Sequence, residues 1–103
     1  MRNIEIDEFY KLPSGTLCAD WYGRIMIKND TLYSKVSNQP YDFFYTDLND
    51  SVDYDKPAGQ SYNVDYESIE RDGTFDEKRS FVVYERSDII ALITKLMNIK
   101  WDV

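Results

Sequence analysis

The stretch from Asp42 to Glu77 limits what this chain can fold into more than any other. It carries eleven carboxylates: Asp42, Asp47, Asp50, Asp53, Asp55, Asp65, Glu67, Glu70, Asp72, Asp76 and Glu77. Only Lys56 and Arg71 oppose them, so the stretch is −9. Residues 1–41 are neutral and residues 78–103 come to +2, so the whole excess behind the net charge of −7 sits in one third of the chain. Aromatic residues run through the same third: Tyr41, Phe43, Phe44, Tyr45, Tyr54, Tyr62, Tyr66 and Phe75. Within residues 54–74 only Tyr62, Val64, Tyr66 and Ile69 offer material for a core. Loops of this kind are more often functional or mobile than packed.

The rest of the composition supports a folded chain. Hydrophobic residues make up 43% and aromatics 16%, too many for a disordered acidic tail. At 103 residues the expectation is a single globular domain, residues 1–103, with one modest core. The acidic balance disfavours direct nucleic-acid binding, because phosphate contacts need clustered Lys and Arg, and none is expected. It disfavours anionic membrane surfaces for the same reason and favours basic partners. Its bland alternative is that the charge merely keeps a small protein in solution. Cys18 is the only cysteine, so no internal disulfide forms. In Thr16-Leu-Cys-Ala-Asp-Trp-Tyr it reads as a buried small hydrophobe rather than a reactive thiol. The N-terminal residues lack the apolar segment of a signal peptide, and no apolar run approaches the ~20 residues that span a bilayer. A soluble, reducing, cytoplasmic setting is expected.

In chain order, residues 4–11 suit a short helix with Asp7 as N-cap and Phe9 and Tyr10 packing inward. Leu12-Pro-Ser-Gly15 ends it. A meander follows: a strand from Thr16 to Tyr22, a break at Gly23, a strand over Arg24–Lys28 with Ile25 and Ile27 on one face, a two-residue turn at Asn29-Asp30, and a strand from Thr31 to Val36. After the loop 37–40, Tyr41–Thr46 is apolar on both faces and predicts a central strand. Asp47–Asp53 can form a helical turn, and Val64–Glu70 fits either strand or helix. Arg71-Asp-Gly-Thr74 reads as a turn. Ser80–Glu85 predicts a strand. Ser87 predicts the cap of a helix from Asp88 to about Asn98, whose Ile89, Leu92, Ile93, Leu96 and Met97 make one apolar face directed at the core. Trp101 is expected to close over the core's edge. The fold class is therefore α+β: a small, strongly bent antiparallel sheet, an SH3-like barrel being one form of it, with a short N-terminal helix and a C-terminal helix packed on it.

Catalytic chemistry finds little support. The chain has no histidine, which removes the commonest general base and the Ser-His-Asp and Cys-His systems. One cysteine cannot build a structural zinc site. Glycines at 15, 23, 59 and 73 form no phosphate loop. Asp47, Asp50, Asp53 and Asp55 are spaced to chelate a hard cation, but the calcium-loop pattern fails. Counted from Asp47, Val52 stands where glycine is needed and Ala58 where glutamate is; counted from Asp53, the same places hold Ala58 and Val64. No enzyme, metal or cofactor is expected. Tyrosine mixed with carboxylate suits a surface that meets a partner's Arg and Lys. The candidate partner-binding residues are Asp42, Asp47, Asp50, Asp53, Asp55, Tyr54, Tyr62, Asp65, Tyr66, Glu67 and Glu70.

The runs Phe9-Tyr-Lys-Leu-Pro-Ser-Gly-Thr16, Ile27-Lys-Asn-Asp-Thr31, Asp42-Phe-Phe-Tyr-Thr-Asp-Leu48, Arg71-Asp-Gly-Thr-Phe-Asp76, Phe81-Val-Val-Tyr-Glu85 and Asp88-Ile-Ile-Ala-Leu-Ile93 resemble a group of small uncharacterised bacteriophage and prophage accessory proteins. The resemblance implies a bacterial host cytoplasm and carries no activity with it. In that setting the expectation is a non-enzymatic inhibitor or interaction protein that mimics DNA charge and docks on a basic, nucleic-acid-binding host protein such as a CRISPR effector. The alternatives are a nucleotide-binding sponge using Lys28, Arg71, Lys78 and Arg79, or a structural or assembly protein of a phage.

Overall fold

The computed structural model describes residues 1–49, 56–61, 65–73 and 79–102. The chain is an α+β fold with a six-stranded antiparallel sheet, a short N-terminal helix and a C-terminal helix set against it. Its elements are β1 (Arg2–Glu5), α1 (Ile6–Tyr10), β2 (Thr16–Asp20), β3 (Ile25–Tyr33), β4 (Pro40–Asp47), β5 (Glu70–Gly73), β6 (Ser80–Val83) and α2 (Arg86–Met97). The strand order is β1-β6-β2-β3-β4-β5. The meander β2-β3-β4-β5 thus supplies one side, and β6 returns to lie between β2 and β1. Among the described residues nothing pairs β1 with β5, so the sheet is open and not closed in the SH3-like manner.

The core is one sheet face. Residues directly opposite in an antiparallel pair share a face. The register Val83–Cys18–Met26 and the pair Lys28–Tyr45 therefore assign Cys18, Met26, Lys28, Phe43, Tyr45, Phe81 and Val83 to the same side. Ile4, Ile6, Phe9 and Tyr10 fold over it from β1 and α1. Phe9 is 0% exposed. Its ring stacks on Phe81 at 3.7 Å between centroids and meets Phe43 edge-on at 4.8 Å. A five-residue helix has no stability of its own; α1 exists because Phe9 is held there. Two further bonds clamp the segment. Thr31 Oγ1 donates to the Tyr10 carbonyl at 2.8 Å, and the ammonium of Lys28, 1% exposed, donates to the carbonyls of Leu12 and Asn29 at 2.9 Å each.

Several local expectations are corrected. The segment 24–36 is not two strands joined at Asn29-Asp30. One nine-residue strand passes through, with a register shift between Lys28 and Thr31. Lys28 opposes Tyr45 and Thr31 opposes Phe43, so three residues of β3 face two of β4. That extra residue is a bulge, and it inverts the alternation. Even-numbered Met26 and Lys28 face the core before it, odd-numbered Thr31 after it. Ile25 and Ile27 do share a face, but it is the half-covered opposite one. Arg71–Gly73 is strand β5, not a turn. The caps are Glu5 for α1 and Glu85 for α2, not Asp7 and Ser87. At α2, Glu85 and Asp88 form a reciprocal capping box. The turn proposed within Asp47–Asp53 lies mostly outside the described residues.

α2 meets the body of the protein at its first turn. Asp88 Oδ2 lies 2.5 Å from the Met1 ammonium, which together with the Glu85 backbone amide holds its carboxyl below the usual range. Ile89 and Leu92 are partly covered. None of the twelve residues of α2 is buried, so its apolar stripe is not the core stripe the periodicity suggests, and Trp101 is 71% exposed. A radius of gyration of 16.0 Å, against about 13 Å for a compact domain of this length, agrees with a helix outside the core. No helix among the described residues is long and apolar enough to cross a membrane.

Candidate functional site

The acidic third is tied to the sheet through β5. Because Asp72 opposes Phe43 and Glu70 opposes Tyr45, both carboxylates project on the core face. Asp20 opposes Phe81 and does the same from β2. Three acids at the margin of an apolar core would be costly without partners; two arginines meet Asp20 and Asp72, and the Tyr45 hydroxyl meets Glu70. Arg79 is buried. Its Nη2 donates to Asp72 Oδ2 at 3.1 Å, its Nη1 donates to the Gly73 carbonyl at 2.8 Å, and its guanidinium lies 4.0 Å from the centroid of the Trp21 ring. Arg24 Nη2 reaches the same Asp72 oxygen at 3.4 Å. Its Nε lies 2.9 Å from Asp20 Oδ2, an ion pair that lacks the alignment of a hydrogen bond. Asp20 also accepts from the backbone amides of Tyr22 and Arg24 at 2.9 Å each. That bond set shapes the tight turn in which Gly23 adopts φ +81°.

Tyr45 continues the network. Its hydroxyl accepts from Arg24 Nη1 at 3.1 Å and donates to Glu70 Oε2 at 3.0 Å. Burial, then the bond to Glu70, pushes its pKa up to about 12. Burial together with Asp42 does the same to Tyr10, whose buried hydroxyl has no hydrogen-bond partner among the described residues. Burial also pushes the Cys18 thiol up to about 11, and the residue is fully enclosed. This agrees with its reading as a packed small hydrophobe.

The candidate partner-binding residues divide three ways. Asp42 and Glu70 are held internally. Asp42 Oδ2 accepts from Arg71 at 2.6 Å, and Glu70 takes the Tyr45 hydroxyl. Asp47 ends β4 half-buried, with Oδ1 accepting from the Asn49 amide at 2.8 Å. Asp65, Tyr66 and Glu67 are exposed just before β5, and Ile69 beside them is 65% exposed. Asp65 Oδ1 accepts from the amides of Glu67 and Ser68 at 2.9 and 3.1 Å, fixing that segment in a turn. Asp50, Asp53, Tyr54, Asp55 and Tyr62 lie outside the described residues. Asp42 and Glu70 also sit on opposite faces of the sheet, since Asp42 neighbours core-facing Phe43 and Glu70 opposes Tyr45. Among the described residues the acids therefore do not form one continuous face.

Sequence reasoning missed Asp20, Trp21, Arg24 and Asp72, and singled out Arg79 only as a phosphate contact of the sponge alternative. The available signal was Asp20 and Arg24 flanking the Gly23 turn beside a tryptophan. Nothing local links them to Asp72, which lies 48 residues beyond Arg24. Among the described residues no three His, Cys, Asp or Glu side chains group as a metal site requires. The chain matches no family model, no curated protein and no solved structure.

Proposed function

We propose that this chain is a non-enzymatic, phage-encoded binding protein. It docks on a basic surface of a bacterial host protein, one that binds nucleic acid or serves in defence such as a CRISPR effector. The observation that carries the reading is the exposed turn Asp65–Ile69 at the entrance to edge strand β5. There, two carboxylates, Tyr66 and Ile69 stand outward while the turn itself is pinned by Asp65. A rigid, amphipathic, acidic projection suits a partner's Arg and Lys through charge pairing and stacking. The acids already neutralised by Arg24, Arg71 and Arg79 serve the fold and leave this turn to serve the partner.

The nucleotide-sponge alternative is less well supported. Of the cations it requires, Lys28 is buried against two carbonyls, Arg71 is paired with Asp42 and Arg79 with Asp72. Lys78 lies outside the described residues.

The test is capture of bacterial lysate proteins on the tagged chain, eluted by a salt gradient. The expected result is a basic protein that elutes at moderate salt, because screening weakens exposed charge pairs. The double substitution Asp65→Asn with Glu67→Lys, which keeps the Oδ1 acceptor that pins the turn, should lower its retention at least tenfold while circular dichroism stays unchanged. Retention that ignores both salt and the charge reversal refutes the reading.

A further inference from the structure

An amphipathic helix with an uncovered apolar stripe is the largest feature that this reading leaves unused. Ile90, Ile93, Leu96, Met97, Ile99 and Trp101 are between 51% and 71% exposed. The first four fall at helical spacing on one side of α2, and the last two continue past the C-cap at Asn98. A twelve-residue helix without apolar cover is marginal in water.

We propose that this stripe pairs with the same stripe of a second copy of the chain, the two α2 helices running antiparallel. Three observations select that occupant. The first is area. At roughly 200 Å² for a large side chain, six residues exposed by half or more leave on the order of 600–700 Å² of apolar surface per chain. That exceeds what monomers usually leave open and approaches the ~800 Å² per partner of a standard interface. The second is charge. The acidic stretch carries −9, whereas residues 85–102, which include α2, hold three acids and three bases and are neutral. Two copies of a −7 chain therefore meet through α2 without the repulsion of their acidic stretches, and the basic partner suited to the acidic turn gains no charge attraction there. The third is polarity along the helix. Glu85, Arg86 and Asp88 flank its start, with the Met1 ammonium on Asp88, while Lys95, Lys100 and Asp102 flank its end. Parallel pairing aligns the two helix dipoles; antiparallel pairing opposes them. A two-fold axis makes the same patch its own complement.

The experiment uses the full chain in sedimentation and light scattering across concentration and salt. The wild type should show twice the chain mass. Its association should tighten as salt rises, since screening relieves the repulsion between two acidic chains; binding through the acidic turn weakens instead, so the two readings fail independently. The double substitution Ile93→Glu with Met97→Glu, at positions more than half exposed within the chain, should halve the mass and leave the sheet's circular dichroism intact. Oxidised mixtures of Ile90→Cys and Met97→Cys chains should form the mixed disulfide in preference to either like pair; enclosed Cys18 stays silent. A wild type that is monomeric at about 100 μM, a dimer that survives the double substitution, or like-with-like crosslinks each overturn the proposal.

Discussion

Removing the charge of Asp72 should destabilise the fold more than removing both members of its ion pair. Asp72→Asn keeps the side chain's shape and its Oδ1 acceptor for the Gly73 amide. It strips the carboxylate from Arg79, whose side chain is only 8% exposed. Breaking a buried pair costs about 3–5 kcal/mol and an exposed pair at most ~1 kcal/mol. The Asp72 side chain is 32% exposed, so water offsets part of the loss, and about 2 kcal/mol is expected. For a domain of this length that lowers Tm by roughly 8–16 °C. Arg79→Met should cost less, about 1 kcal/mol. Its apolar stem still packs near Trp21 and Phe81, and Asp72 keeps Arg24. The double variant should therefore be more stable than Asp72→Asn alone, because no guanidinium is left buried without its carboxylate. Urea melts of the four proteins, analysed as a double-mutant cycle, measure this. A loss below about 0.5 kcal/mol for Asp72→Asn, or single costs that simply add, would refute the argument.

Phe9→Ala removes the ring that stacks on Phe81 and anchors α1; a loss of about 3–5 kcal/mol is expected, read as an early chemical melt with loss of the aromatic near-ultraviolet signal. An effect under about 1 kcal/mol would mean the site collapses around the gap. Stability should also fall in alkali. Cys18 and the hydroxyls of Tyr10 and Tyr45 titrate higher folded than unfolded, so the folded state holds these protons more tightly. Their contribution is complete below the ordinary values of 9.0 and 10.0 and is lost as pH rises through about 11 and 12. Thermal melts from pH 8 to 12 should show that decline. In the same range Cys18 should resist alkylation until the chain unfolds, and rapid native-state labelling at pH 8 would contradict its enclosure.

The sequence by itself determined the class of fold. Local pattern marked β2, β4, β6 and both parts of β3, but not β1, whose end was read as helix, nor β5, most of which was read as a turn; Gly23 and the 37–40 loop marked breaks, and Ile89 to Met97 marked the last helix at its C-terminal end, Asn98. These signals are local: period, turn chemistry and caps act within a few residues. The charge of the middle third was equally legible, because it is a property of composition.

Only the tertiary structure decided what the individual charges do. Asp42, Glu70 and Asp72 look alike in sequence, yet cross-strand register brings Arg71 to the first, Tyr45 to the second, and Arg79 and Arg24 to the third. Asp65 and Glu67 meet no such partner strand and stay outward. The bulge that turns Lys28 inward likewise follows from the pairing of β3 with β4, since alternation within one strand cannot reveal an extra residue opposite its neighbour. The amphipathic period of α2 fixed that it has an apolar side but not what meets that side. Whether a stripe faces its own sheet or another surface depends on where the chain carries the helix, and here it leaves most of the stripe uncovered.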